Sequence, residues 1–177
     1  SSVICADIIT TEGFGIFSSR EKLALIKRIA AKNGIIVLTD SDGAGKVIRG
    51  YLSGALSPDK VYNLYIPKIK GREKRKHTPS KEGFLGVEGM EGALLRGLFA
   101  PFAGDTPPQR GGITKADFYD AGISGRQNSA LSRDRLAAAF NLPDKMTANA
   151  LLCALNIITD RECFFKTLEE LKQTEKA

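Results

Sequence analysis

Apolar residues in the first hundred positions follow two alternating rhythms. Residues 6–10, 35–38 and 61–66 are short, mostly apolar runs of strand length. Between them, apolar residues recur three and four apart. Leu23, Ile26, Ile29 and Ala30 do so within residues 20–31, and Val47, Ile48, Tyr51, Leu52 and Ala55 within residues 45–56. Gly34 closes the first of these helices, and Pro58 with Asp59 breaks the chain after the second. Residues 11–15 read as a turn with two glycines, and residues 91–99 as a further helix. Strand alternating with helix predicts βαβ units and a parallel sheet. The expected class is α/β, a Rossmann-like parallel sheet flanked by helices over residues 1–100.

After residue 100 the rhythm changes. Residues 101–112 are rich in proline and glycine and read as a linker. Thr114-Lys115-Ala116-Asp117 opens a helix with a capping-box pattern in which Asp replaces Glu. Further helices are predicted from Asn128 or Ser129 to 140, over 147–157 and over 159–172. No strand signal survives, so residues 113–177 form a small all-α C-terminal domain. Its predicted core is Leu131, Leu136, Phe140, Leu151, Leu152, Leu155, Ile158, Phe164 and Leu168.

Composition narrows the class. No apolar stretch approaches the roughly 20 residues of a membrane span, and no signal peptide is visible. Cys5, Cys153 and Cys163 have no metal-ligand spacing and read as reduced, mostly buried thiols of a cytoplasmic protein. Charge is unevenly spread. Residues 1–100 hold 16 Lys/Arg against 10 Asp/Glu, whereas residues 101–177 hold 10 of each. Lys68, Lys70, Arg72, Lys74, Arg75, Lys76 and Lys81 crowd into residues 68–81 against Glu73 alone. Such a cluster is a candidate phosphate-binding surface, with His77 as part of it.

Candidate chemistry gathers where the run Ile35-Ile36-Val37-Leu38-Thr39 meets Asp40-Ser41-Asp42-Gly43-Ala44-Gly45. The carboxyl end of a parallel strand is where open α/β sheets bind ligands. Side chains two apart on a strand share a face, so Asp40 and Asp42 point the same way and Ser41 away, and a divalent cation between the two carboxylates would relieve their repulsion. Asp, Ser and Gly also populate loops that have no function. A Walker phosphate loop is excluded, because it needs Gly at position 40 and Ser or Thr at 47, where Asp40 and Val47 stand. A calcium EF-hand is excluded by Ala44 and Tyr51. An aspartyl phosphotransferase of the haloacid-dehalogenase kind would use Asp40 as nucleophile and Asp42 as acid/base. It usually has Thr or Val where this chain has Ala44, and it needs a later acidic pair.

Leu38-Thr39-Asp40-Ser41-Asp42-Gly43-Ala44-Gly45, opening a helix with Lys46 and Arg49, resembles the Toprim domain of topoisomerases, bacterial primases and several nucleases. The glycine turn after Ile8, the basic segment and Gly86-Val87-Glu88 resemble one branch, the ribonuclease M-five enzymes that trim 5S ribosomal RNA precursors. The helical tail resembles that branch's C-terminal extension through Ser124-Gly125 and residues 147–156. The resemblance implies a metal-dependent endoribonuclease acting on structured RNA, with Mg²⁺ (or Mn²⁺) held by Asp40 and Asp42. Glu88 is a further catalytic acid, and RNA is gripped by Lys46, Arg49, Lys68, Lys70, Arg72, Lys74, Arg75, Lys76 and Lys81. Its partner is 5S ribosomal RNA precursor, with a ribosomal protein as a further candidate and no membrane. The alternative is a nucleic-acid-binding Toprim protein without catalysis. Toprim domains begin with a strand ending in Glu-Gly, whose glutamate is the third acidic residue. The chain begins Ser-Ser, and no such strand precedes Ala6. The expectation is therefore a chain lacking its first βα unit and inactive as it stands.

Overall fold

The computed structural model describes residues 6–71, 85–104, 108 and 110–174. The chain divides into two compact units, 1–103 and 104–177.

In the first unit, Gly13–Phe17 forms a 3₁₀ turn and Arg20–Asn33 the helix α1. The Ser19 side chain caps α1 by accepting from Lys22 N–H at 3.3 Å. Gly34 ends it at φ 74°, a left-handed value that a side chain would oppose. Strand β1 (Ile35–Thr39) runs through α2 (Gly43–Ala55) into β2 (Val61–Tyr65). The two strands pair in parallel, Ile35 with Val61 through to Thr39 with Tyr65, so β1-α2-β2 is one right-sized crossover unit. Ile16, Ile26, Val37, Ile48, Leu52 and Val61 form its core, with Leu23, Ile35, Tyr51 and Leu56 packed against them. Val87–Gly89 is a 3₁₀ turn, and α3 (Gly92–Phe99) closes the unit with a last turn at Ala100–Phe102.

Two expectations for this unit change. Residues 6–10 form no strand; all five are exposed, Ile8 at 82%. Strand preference expresses itself through cross-strand neighbours, and among the described residues nothing pairs with this run. The second change is at the acidic tip. Strand β1 stops at Thr39, and Asp42 already caps α2, which therefore begins at Gly43, two residues before the expected start at residue 45.

The second unit is helical: α4 (Lys115–Asp120), α5 (Ser129–Ala139), α6 (Ala148–Ile158) and α7 (Arg161–Thr174). The α4 capping box forms with Asp in place of Glu: Asp117 N–H donates to Thr114 Oγ1 at 3.1 Å and Thr114 N–H to Asp117 Oδ2 at 2.9 Å. The Thr147 side chain caps α6 by a single bond, accepting from Ala150 N–H. Phe118, Leu136, Leu151, Leu155 and Phe164 are fully buried, and the Phe118 and Phe164 rings stack at 5.8 Å. The tail of the expected linker belongs to this unit. The buried Asn156 side chain accepts from Ile113 N–H and donates to Ile113 O, both at 2.9 Å, binding residues 111–113 to α6.

The expected core needs correction at its margins. Leu131 is 54% exposed because it lies five residues, or about 140° around the helix, from the buried Leu136. Ile158 is exposed at the end of α6, and Phe140 and Leu152 are half-buried. The thiols of Cys153 and Cys163 are also exposed, not buried as composition predicts; Cys5 lies outside the described residues. Among the described residues no helix is long and apolar enough to cross a membrane.

Candidate functional site

The site is the turn that carries β1 into α2. Asp42 has extended backbone angles and caps α2, its Oδ1 accepting from Gly45 N–H at 2.7 Å. Gly45 is required there: a Cβ would collide with the Asp40 carbonyl oxygen and crowd Thr39 Oγ1. Ser41 turns the other way and donates to the Ile66 carbonyl at 2.7 Å, tying the tip to the end of β2. Asp40 is exposed and accepts from Val87 N–H at 2.8 Å. This bond draws in the 3₁₀ turn Val87–Gly89, and Glu88, exposed, is the next residue along it.

Asp40, Asp42 and the turn bearing Glu88 therefore meet at the carboxyl end of β1. They do so through a capped turn and a long-range backbone clip, not through strand alternation. Among the described residues no cation pairs with either aspartate, and the second oxygen of each takes no protein donor. Hard carboxylate oxygens of this kind suit Mg²⁺ or Mn²⁺, which bind through one or two carboxylates plus water and substrate phosphate. Among the described residues no group of three or more His, Cys, Asp or Glu is placed to hold a metal ion.

The expected cationic residues separate. Lys46 is exposed in the first turn of α2, where its N–H joins the Asp42 carbonyl. Arg49 corrects the expectation of a phosphate ligand: it is 7% exposed, and its guanidinium donates to the Val37 and Leu64 carbonyls and to Thr39 Oγ1. Burial lowers its pKa from the ordinary arginine value, an effect that Tyr65 opposes by charge interaction and hydrogen bonding. Lys70 is exposed and Lys68 half-buried with a partner of its own. Arg72, Lys74, Arg75, Lys76, His77 and Lys81 lie outside the described residues. Leu85 N–H donates to the Ile69 carbonyl at 2.9 Å, two positions before the Val87 clip.

Sequence reading misses Thr39, Ser41 and Val87 as parts of the site, since each acts through a bond to a distant backbone or side-chain atom. Arg49 carried a signal. It is four residues after Gly45 and three before Leu52, on the stripe that turns inward.

No family model matches the chain. Several curated proteins do. The chain is 32% identical over 133 residues to ribonuclease M5 1 of Ligilactobacillus salivarius (strain UCC118), covering 74% of this chain and 65% of that protein. It is 30% identical over 141 residues to ribonuclease M5 of Lactiplantibacillus plantarum, covering 77% and 69%. A third match, 25% identical over 172 residues, is ribonuclease M5 of Bacillus cereus, covering 97% of this chain and 85% of the relative. Against the first of these relatives the chain thus spans just under two thirds of the relative's length.

Proposed function

The chain belongs to the ribonuclease M5 family, and on that premise we propose that it is the Toprim-type nuclease part, with helical extension, of a metal-dependent endoribonuclease. Its substrate is structured RNA, the 5S ribosomal RNA precursor, met in the cytoplasm as RNA or with a bound ribosomal protein. The observation that supports this most is the meeting of Asp40, Asp42 and the Glu88 turn at the carboxyl end of β1, with carboxylate oxygens left over.

Phosphodiester hydrolysis needs an activated water and neutralisation of developing charge, and a divalent ion supplies both when bound. Asp40 and Asp42 would hold it. The chain's own contribution is positioning. Gly45 N–H and Val87 N–H each fix one oxygen of Asp42 and Asp40, so neither carboxylate has to be ordered when substrate arrives. Lys46 offers an exposed cation beside them, and the basic segment grips the RNA backbone.

Cleavage of 5S precursor RNA by the full-length protein in Mg²⁺ tests the reading. Asp40→Ala is expected to slow cleavage by about 10²-fold or more while the protein stays folded, since Asp40 is exposed. Unchanged cleavage rejects the assignment. One observation favours a second reading, an RNA-binding protein without catalysis: both aspartates already have structural tasks, one as helix cap and one as anchor for Val87. In that case neither wild type nor Asp40→Ala cleaves the RNA, and the two bind it with equal affinity.

A further inference from the structure

Arg49 is the one buried cation among the described residues, and the chemistry above does not use it. Burying a guanidinium is costly unless its donors are satisfied. Here Nη1 reaches the Val37 carbonyl at 3.3 Å and the Leu64 carbonyl at 2.8 Å, and Nη2 reaches Thr39 Oγ1 at 2.7 Å. Its Cζ lies 4.0 Å from the centre of the Tyr65 ring. No carboxylate among the described residues pairs with it. The charge is thus held by backbone and hydroxyl oxygens of two neighbouring strands, at the end from which the acidic turn springs.

We propose that Arg49 is a positioning residue for the acidic turn. Its planar fork bridges β1 and β2 near their carboxyl ends and fixes the spacing on which the turn is built. The proposal rests on the reading of Asp40 and Asp42 as the reacting carboxylates. Three further bonds hold the same turn. Ser41 reaches across to the Ile66 carbonyl, Gly45 N–H meets Asp42, and Val87 N–H meets Asp40. Thr39 Oγ1, which accepts from Arg49, also lies 3.4 Å from the Gly45 carbonyl, so the guanidinium is one atom removed from the first turn of α2. Lysine cannot replace it, because a single ammonium does not present the fork that reaches two carbonyls and a hydroxyl together.

The test compares full-length wild type, Arg49→Lys, Arg49→Met and Asp40→Ala. Amide exchange at Gly45 and Val87 reports the two aspartate bonds directly, and exchange at Ile26 in α1 reports the unit as a whole. In both Arg49 variants, exchange at Gly45 and Val87 is expected to rise about tenfold more than at Ile26, and kcat to fall by about tenfold or more with KM unchanged. Arg49→Lys carries the test if Arg49→Met does not fold. Exchange that stays at the wild-type level, or that rises equally at all three amides, overturns the proposal. So does a loss of about one unit in the salt dependence of RNA affinity, which marks a phosphate contact instead. Normal cleavage by Asp40→Ala defeats the underlying reading alone, because the exchange pattern still decides whether Arg49 orders the turn.

Discussion

Asp42 and Asp117 both stand at helix N-termini, and they are treated in opposite ways. Asp117 is buried in the α4 capping box, where Arg161 grips it with Nε at 3.1 Å and Nη2 at 2.7 Å. Its charge is neutralised within the helical unit. Asp42 receives one backbone N–H and, among the described residues, no cation. Asp40 is the same. The nearby arginine that could pair with them is turned inward onto backbone carbonyls instead. A carboxylate that is oriented but not neutralised is available to a ligand, and one that is oriented and neutralised serves the fold. The helical unit closes this carboxylate on its own arginine, whereas the α/β unit leaves Asp40 and Asp42 open at the strand end.

Substitutions can break this comparison. The largest effect is expected in the helical unit, where Phe118→Ala removes a fully buried ring stacked on Phe164. Its cost is about 3–5 kcal/mol, read as a fall in the stability of that unit by amide exchange. Gly45→Ala comes next. A methyl group there strikes the Asp40 carbonyl and forces the turn apart, at about 1–3 kcal/mol. Cleavage is expected to fall further than that stability loss explains, because the displaced atoms belong to the acidic turn. If cleavage and stability fall in step, the two units do not differ as described.

The smallest effect appears only in acid. The hydrogen bond from Arg161, followed by that from Thr114 N–H, holds the Asp117 carboxyl well below the usual carboxylate range. The folded state therefore binds this proton more weakly than the unfolded state. The stability it contributes is complete above the ordinary Asp value of about 4 and is lost as pH falls below it. Between about pH 4 and pH 2 the wild type should lose stability more steeply than Asp117→Asn, measured by denaturant unfolding at each pH. Equal slopes would mean that Asp117 is not the group being protonated.

Much of the fold was legible beforehand. The 3.6-residue stripes of α1, α2, α6 and α7 place those helices within a few residues of their observed bounds. The capping box at Thr114 and Asp117 was readable from four letters, since its bonds are local. The β1 and β2 runs were readable from length and flanking turns. Residues 6–10 were not, because an apolar run becomes a strand only when a neighbour supplies the ladder. Arg49 was misread because the spacing that makes a helix stripe says nothing about whether a cation on it will find oxygens inside.

The sequence by itself determined the helices and the two paired strands, the glycine that lets α2 start against the strand end, and the presence of two carboxylates between them. These are consequences of local sterics and of bonds spanning four residues or fewer. Only the tertiary structure decided that Asp40 is clipped by Val87, 47 positions away, and that Ser41 is bound to Ile66 and Arg49 to Leu64. The Ser41 and Arg49 bonds form because the parallel pairing of β1 with β2 brings distant backbone groups into reach, a geometry that no periodicity encodes.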